Sequence, residues 1–317
     1  MAGRLETVLE TVRKTGTVDE VSRREIQRVV YDDGNVSLAE AEALFAINDA
    51  ADTDACPEWP WVFIGAITDI LVRQSIPRDR IDSGEAVWLL RHIQKDGVVC
   101  EGTELELLLN VLKYAESAPA SLEHLALATV EGHIEKNGFV TAEDVERLRQ
   151  ILYACGSSGG VGICRMEAEA LFRIADATEG AVNDDSFKDL FVGALANHLM
   201  MAEIPPRLSD EEALRREYWL HERGDIASGW ARAFRNPVKT FLGARHDDPE
   251  DSAPVTWLDG ERLSVAERVS GAESRWLVDR IARDGVRSEL EQALLDFLAE
   301  ESPYIHATLR QAIERAA

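Results

Sequence analysis

Eleven residues recur almost unchanged within this chain. Residues 40–50 read EAEALFAINDA and residues 167–177 read EAEALFRIADA, identical at nine of the eleven positions. A repeat of that fidelity restricts the fold to two similar halves, because each copy has the same faces to bury. The match continues on both sides. Upstream, Gly16-Thr17-Val18 parallels Gly138-Phe139-Val140, and Val29-Val30-Tyr31 parallels Ile151-Leu152-Tyr153. Downstream, WVFIGAITDIL (61–71) parallels LFVGALANHL (190–199), and the stretch from Trp88 to Gly97 parallels that from Trp276 to Gly285. The reading is a tandem duplication, with a first helical half over 1–130 and a second over 131–317. The interval before the last match is about 60 residues longer in the second half, which marks a helical insertion at about 201–275.

The local pattern is helical. Residues 38–50, 104–115, 142–154, 166–177 and 288–299 carry apolar residues at three- and four-residue spacing. No run alternates in the manner of a strand, so the expected fold class is all-α. Residues 61–72 and 188–200 are apolar on most faces and contain Gly and Ala. A helix of that kind is buried, and each reads as the core helix of its half. Two helix starts are also expected: Pro57 at a first helical position, and a capping box over Ser186-Phe-Lys-Asp189.

Glycine turns punctuate these helices. They include Asp33-Gly34-Asn35-Val36, Asp96-Gly97-Val98-Val99, Asn137-Gly138-Phe139-Val140 and Asp284-Gly285-Val286. The glycine supplies a turn backbone, and the polar residues around it can cap the next helix. An acid follows: Glu40 in the first of these, Glu104 in a longer variant, Glu291 in the last. The Asp-Gly-x-Val-x-x-x-Glu pattern resembles the tellurite-resistance TerB-like helical family. That resemblance implies an all-helical, cytoplasmic protein that holds a divalent metal through such acids. Asn137 and Gly160 depart from it, standing where an Asp is expected. The turns are also EF-hand-like in part. With Gly34 at the sixth loop position, Glu40 falls at the twelfth, but Val29 and Tyr31 take positions that need oxygen ligands.

The acids that could join a cation are Asp33, Glu40, Asp96 and Glu104, and then Asp49, Asp52, Asp176 and Glu179. Glu42 and Asp49 share a helix face but lie two turns apart, about 10 Å. One ion with ligands at ~2.4 Å cannot bridge that gap, so each would need acids from another helix. The one cofactor this pattern admits is a divalent cation, calcium or magnesium.

Charge sets further limits. Lys and Arg number 34 against 58 Asp and Glu, a net charge of −24, which opposes binding to nucleic acid through the acidic body. Residues 226–245 break the trend. They contain Arg232, Arg235, Lys239 and Arg245 with no acid, interleaved with Trp230, Phe234 and Phe241. Such a segment packs on the acidic body or meets a partner, and Trp230, Arg232, Phe234, Arg235 and Lys239 are its candidate contact residues. The first residues lack the apolar stretch of a signal peptide, and the run 59–72 is too short to span a bilayer. The four cysteines form no C-x-x-C pair.

The expectation is therefore a cytoplasmic, non-enzymatic binding or scaffold protein with a divalent cation at its acidic interhelical turns. The alternatives are a metal-free protein–protein adaptor acting through 226–245, and an enzyme whose site is not visible in sequence.

Overall fold

The computed structural model describes residues 2–52, 57–95, 98–99, 102–153, 162–200, 271–281, 287–301 and 306–314. Within them the fold is all-α. In chain order the helices are α1 (Ala2–Thr15), α2 (Glu20–Val30), α3 (Leu38–Ala50), α4 (Trp59–Thr68), α5 (Ser83–Ile93), α6 (Thr103–Tyr114) and α7 (Ala120–Asn137). There follow α8 (Ala142–Leu152), α9 (Arg165–Ala177), α10 (Asp185–Met200), α11 (Gly271–Ile281), α12 (Glu289–Glu301) and α13 (Ala307–Glu314). The helix expected over 61–72 begins earlier, and beyond Thr68 it continues as a π turn, Asp69–Arg73. One small departure from the all-helical expectation is a two-residue antiparallel pair, β1 (Gln94–Lys95) and β2 (Val98–Val99), flanking Asp96-Gly97. Among the described residues no helix is long and apolar enough to cross a membrane.

Several of the helix starts follow one physical rule. The first N–H groups of a helix have no carbonyl to meet and need side-chain acceptors. At α3, Gly34 turns the chain with φ +83°, Val36 is buried, and Ser37 is the N-cap. Glu40 then reaches back, accepting from the Ser37 N–H at 2.9 Å and its hydroxyl at 2.7 Å. At α8 the same sequence of events uses Gly138 (φ +77°), buried Val140, Thr141 as cap and Asp144 in place of Glu. Cys164 with Glu167 starts α9, Ser288 with Glu291 starts α12, and Asp82 with Glu85 starts α5. Two expected starts shift by a few residues. The cap of α10 is Asp184, whose Oδ1 accepts from the Ser186 N–H at 3.0 Å, so Ser186 is a donor and not the cap. In α4 the proline of the first turn is Pro60, with Glu58 at the N-cap, so Pro57 lies outside the helix.

The chain divides into two compact units at Val130/Glu131, inside α7, with α1–α6 in the first and α8–α13 in the second. In the first, α3 packs on α1 and α4, and α4 on α2 and α6. Its centre is aromatic: Phe45 meets Phe63 edge-on at 5.1 Å and Trp88 edge-on at 5.6 Å. In the second, α10 packs on α8, α9 and α12, and α11 on α13. Phe172 there meets Phe191 edge-on at 5.3 Å and Trp276 edge-on at 5.8 Å. Edge-to-face pairs add attraction to the area they bury, and each fully buried Phe contributes about 1.5–3 kcal/mol.

Glu167 has a measurable consequence. Burial holds its carboxyl above its ordinary value of 4.5, against the Cys164 N–H bond that pulls it down. The folded state therefore keeps this proton longer than the unfolded chain. Between 4.5 and the raised folded value, stability falls as pH rises, and the loss persists above it. Glu167→Gln can still accept from Cys164. It is expected to remove that slope and to match or exceed the native protein near neutrality, as read by urea unfolding across the acid range. An unchanged slope would show that another group controls it.

Candidate functional site

The acids named from sequence are placed as follows. Asp33 is exposed in its turn and accepts from the Asn35 N–H at 3.0 Å. Glu40 is buried in the capping box of α3. Glu104 accepts from Asn48 Nδ2 at 2.9 Å, while Asn48 Oδ1 accepts from Trp59 Nε1 at 3.1 Å. That chain ties α3, α4 and α6 together through buried Asn48 and Trp59 and half-buried Glu104, which satisfy one another. Asp49 and Asp52 are exposed at the end of α3, and the Asp52 N–H bonds to the Gly16 carbonyl at 2.6 Å. Asp176 pairs with Arg280 at 2.6 Å, and Glu179 is exposed just beyond α9. Asp96 lies outside the described residues, as do Trp230, Arg232, Phe234, Arg235 and Lys239. Among the described residues, no group of three His, Cys, Asp or Glu side chains is placed to hold a metal ion.

Among the described residues, a polar cluster in the second unit centres on a residue not singled out in the sequence. Arg280 has a side chain 6% exposed. Its Nη2 donates to Asp176, its Nε lies 3.5 Å from Glu169 Oε2, and its guanidinium stacks 4.7 Å from the Phe172 ring centroid. Glu169 also accepts from Trp276 Nε1 at 2.5 Å, and Arg165 stacks on the Trp276 ring at 4.5 Å. His198 meets Trp276 edge-on at 5.1 Å. Its Nδ1 lies 2.7 Å from the Ile163 carbonyl. A carbonyl only accepts, so Nδ1 carries the proton. Nε2 is buried with no hydrogen-bond partner among the described residues.

The matching positions in the first unit do something different. His92 stands where Arg280 stands in the repeat, and it stacks on Phe45 with centroids 4.5 Å apart. Its Nδ1 lies 2.9 Å from the Trp88 carbonyl. The buried Trp88 Nε1 has no hydrogen-bond partner among the described residues. An ionic frame in one unit is thus an aromatic stack in the other. The signal was present in the repeat itself, which aligns Glu42 with Glu169 and His92 with Arg280. Spacing alone does not say that an arginine 104 positions beyond Asp176, in another helix, closes on two acids of α9.

Two surface hollows complete the described features. One, about 490 Å³, lies in the second unit between the starts of α8 and α10. Phe139 (45% exposed) and Val182 (94% exposed) edge it, and its charged lining residues are Asp184 and Asp185. Hydrogen bonds from Ser186 hold the Asp184 carboxyl below its usual range. The other, about 480 Å³, lies between α2 and α4 in the first unit, beside Trp61 and Tyr31. Burial pushes the Cys164 thiol above its ordinary value, which disfavours the thiolate.

No family model, curated protein or solved structure matches this chain.

Arg280 is expected to be the more sensitive member of its cluster. Removing one partner of a buried pair costs several kcal/mol, but Glu169 and Asp176 are 33% and 51% exposed and so partly screened. Arg280→Ala should cost about 2 kcal/mol in urea unfolding, including lost packing on Phe172. Asp176→Asn should cost below about 1 kcal/mol. Equal losses would mean that the arginine does not organise the cluster.

Proposed function

We propose that this protein is a non-enzymatic binding scaffold that arose by tandem duplication of a helical unit and works inside the cell. One observation carries the reading. Both units share an internal frame, and they differ at surface positions laid over it. The capping turn is Gly16-Thr17-Val18 before α2 in the first unit and Gly138-Phe139-Val140 before α8 in the second. The valine is buried in both, while the middle residue changes from Thr to an exposed Phe. A frame kept for packing with altered decoration is how binding sites are grafted on folds. The apolar edge formed by Phe139 and Val182, with carboxylates beside it, fits a protein partner that presents an apolar side chain near a basic one.

A photo-crosslinking residue at Val182 tests this. It is expected to trap a protein partner in cells, and Phe139→Ser to abolish the trapping without unfolding the chain, since Phe139 is half exposed. Trapping that survives Phe139→Ser, or none in either protein, contradicts the reading.

A divalent cation at the turns is the second reading, in keeping with the TerB-like resemblance. The exposure of Asp49 and Asp52 at the end of α3 favours it, with Glu179 in the corresponding place after α9. Calorimetry of chelator-treated protein with calcium, magnesium, manganese and zinc is the check. A ligand that binds only the folded state must raise the melting temperature, so heat and stabilisation should appear together. Neither appearing removes the cation.

A further inference from the structure

The repeat keeps two acids and loses the arginines that serve them. In the second unit Glu169 and Asp176 lie three residues before and four after Phe172, so both flank that ring along one side of α9. Three arginines face them. Arg280 bonds Asp176 through Nη2 at 2.6 Å, and its Nε lies 3.5 Å from Glu169. Arg165 lies 4.0 Å from Glu169, and Arg173 is close enough to feel its charge. In the first unit Glu42 and Asp49 hold the same places about Phe45. There Leu38, Ala46 and His92 stand where the second unit has Arg165, Arg173 and Arg280.

The aromatic frame around these acids is the same in both units. Trp88 meets Phe45 edge-on at 5.6 Å, as Trp276 meets Phe172 at 5.8 Å. His92 lies on Phe45 at 4.5 Å, as Arg280 lies on Phe172 at 4.7 Å. The polar side differs. Trp276 Nε1 donates to Glu169, whereas the buried Trp88 Nε1 has no hydrogen-bond partner among the described residues. Glu42, the matching acceptor, is exposed and makes no ion pair among the described residues. Arg91, the base beside His92, is also exposed and unpaired among them, and lies about 100° round α5 from His92. One metal ion cannot bridge acids two turns apart. One guanidinium can, with its fork of donors, as Arg280 does between Glu169 and Asp176. An ammonium is a point charge and lacks that reach.

We infer that the α3–α5 face of the first unit binds an arginine side chain of a protein partner, in the place that Arg280 fills from within the second unit. Glu42 and Asp49 receive the guanidinium, and Glu42, drawn inward, accepts from Trp88 Nε1. This goes beyond the scaffold reading, which concerns a hollow of the second unit, and crosslinking at Val182 does not bear on it. The test titrates the isotope-labelled full chain with two blocked peptides, Gly-Arg-Gly and Gly-Lys-Gly. Salt at about 0.15 M screens their general attraction to an acidic protein. The arginine peptide is expected to shift the indole N–H resonance of Trp88 and to bind roughly tenfold more tightly than the lysine peptide. Glu42→Gln should weaken it by roughly tenfold as well. His92→Arg supplies the guanidinium from α5 and should abolish binding with no fall in melting temperature. Because Glu42 is exposed, its variant decides the matter even if position 92 rejects the larger side chain. An unmoved Trp88 resonance, equal binding of the two peptides, or binding that survives Glu42→Gln overturns the inference.

Discussion

A helix begins with N–H groups that have no carbonyl above them, and something must accept from them. In this protein that need accounts for much of the recurring acidic pattern. Glu40, Asp144, Glu167 and Glu291 are each the third helical residue after a cap, buried, and turned back onto the cap's own N–H. The position is favourable twice over, because the carboxylate also sits at the positive end of the helix dipole. A glycine with positive φ and a buried valine precede the box at α3 and α8, so turn, core contact and cap form one device. The Asp-Gly-x-Val-x-x-x-Glu pattern can therefore be held in place by folding alone, before any ligand is considered.

The two units put the device to the same structural use and then diverge. Each surrounds a phenylalanine with a second phenylalanine and a tryptophan, all edge-on. Around that centre the polar chemistry differs. The first unit closes with His92 stacked on Phe45 and with the Trp59–Asn48–Glu104 chain. The second closes with Arg280 on Phe172, bound to Glu169 and Asp176. A guanidinium and an imidazole both offer a flat face to an aromatic ring. Only the guanidinium brings a fixed charge that needs acids around it.

Legibility in the sequence varied with the range of the interaction. The helix over 38–50 was visible to the residue, because its apolar spacing and its cap are local. The starts of α4 and α10 were placed a few residues off. Several residues near each start could serve as cap or first-turn proline, and packing selects among them. The candidate ligands were chosen largely by their recurrence. Their repetition was plain, yet repetition marks whatever both units need, and both units need caps. Phe139, Val182 and Trp61 gave no warning, since an exposed apolar residue and a buried one look alike in sequence.

By itself the sequence determined that the protein is helical, that it contains one pattern twice, and where the helix-starting turns lie. All three rest on residues close together in the chain, where backbone geometry leaves few choices. The tertiary structure decided which acids are caps, which pair with Arg280, and which aromatics reach the surface. Those outcomes depend on contacts between residues as far apart as Asp176 and Arg280, 104 positions in sequence. Such contacts follow from how helices pack against one another, and helical periodicity says which face is buried without saying what it is buried against.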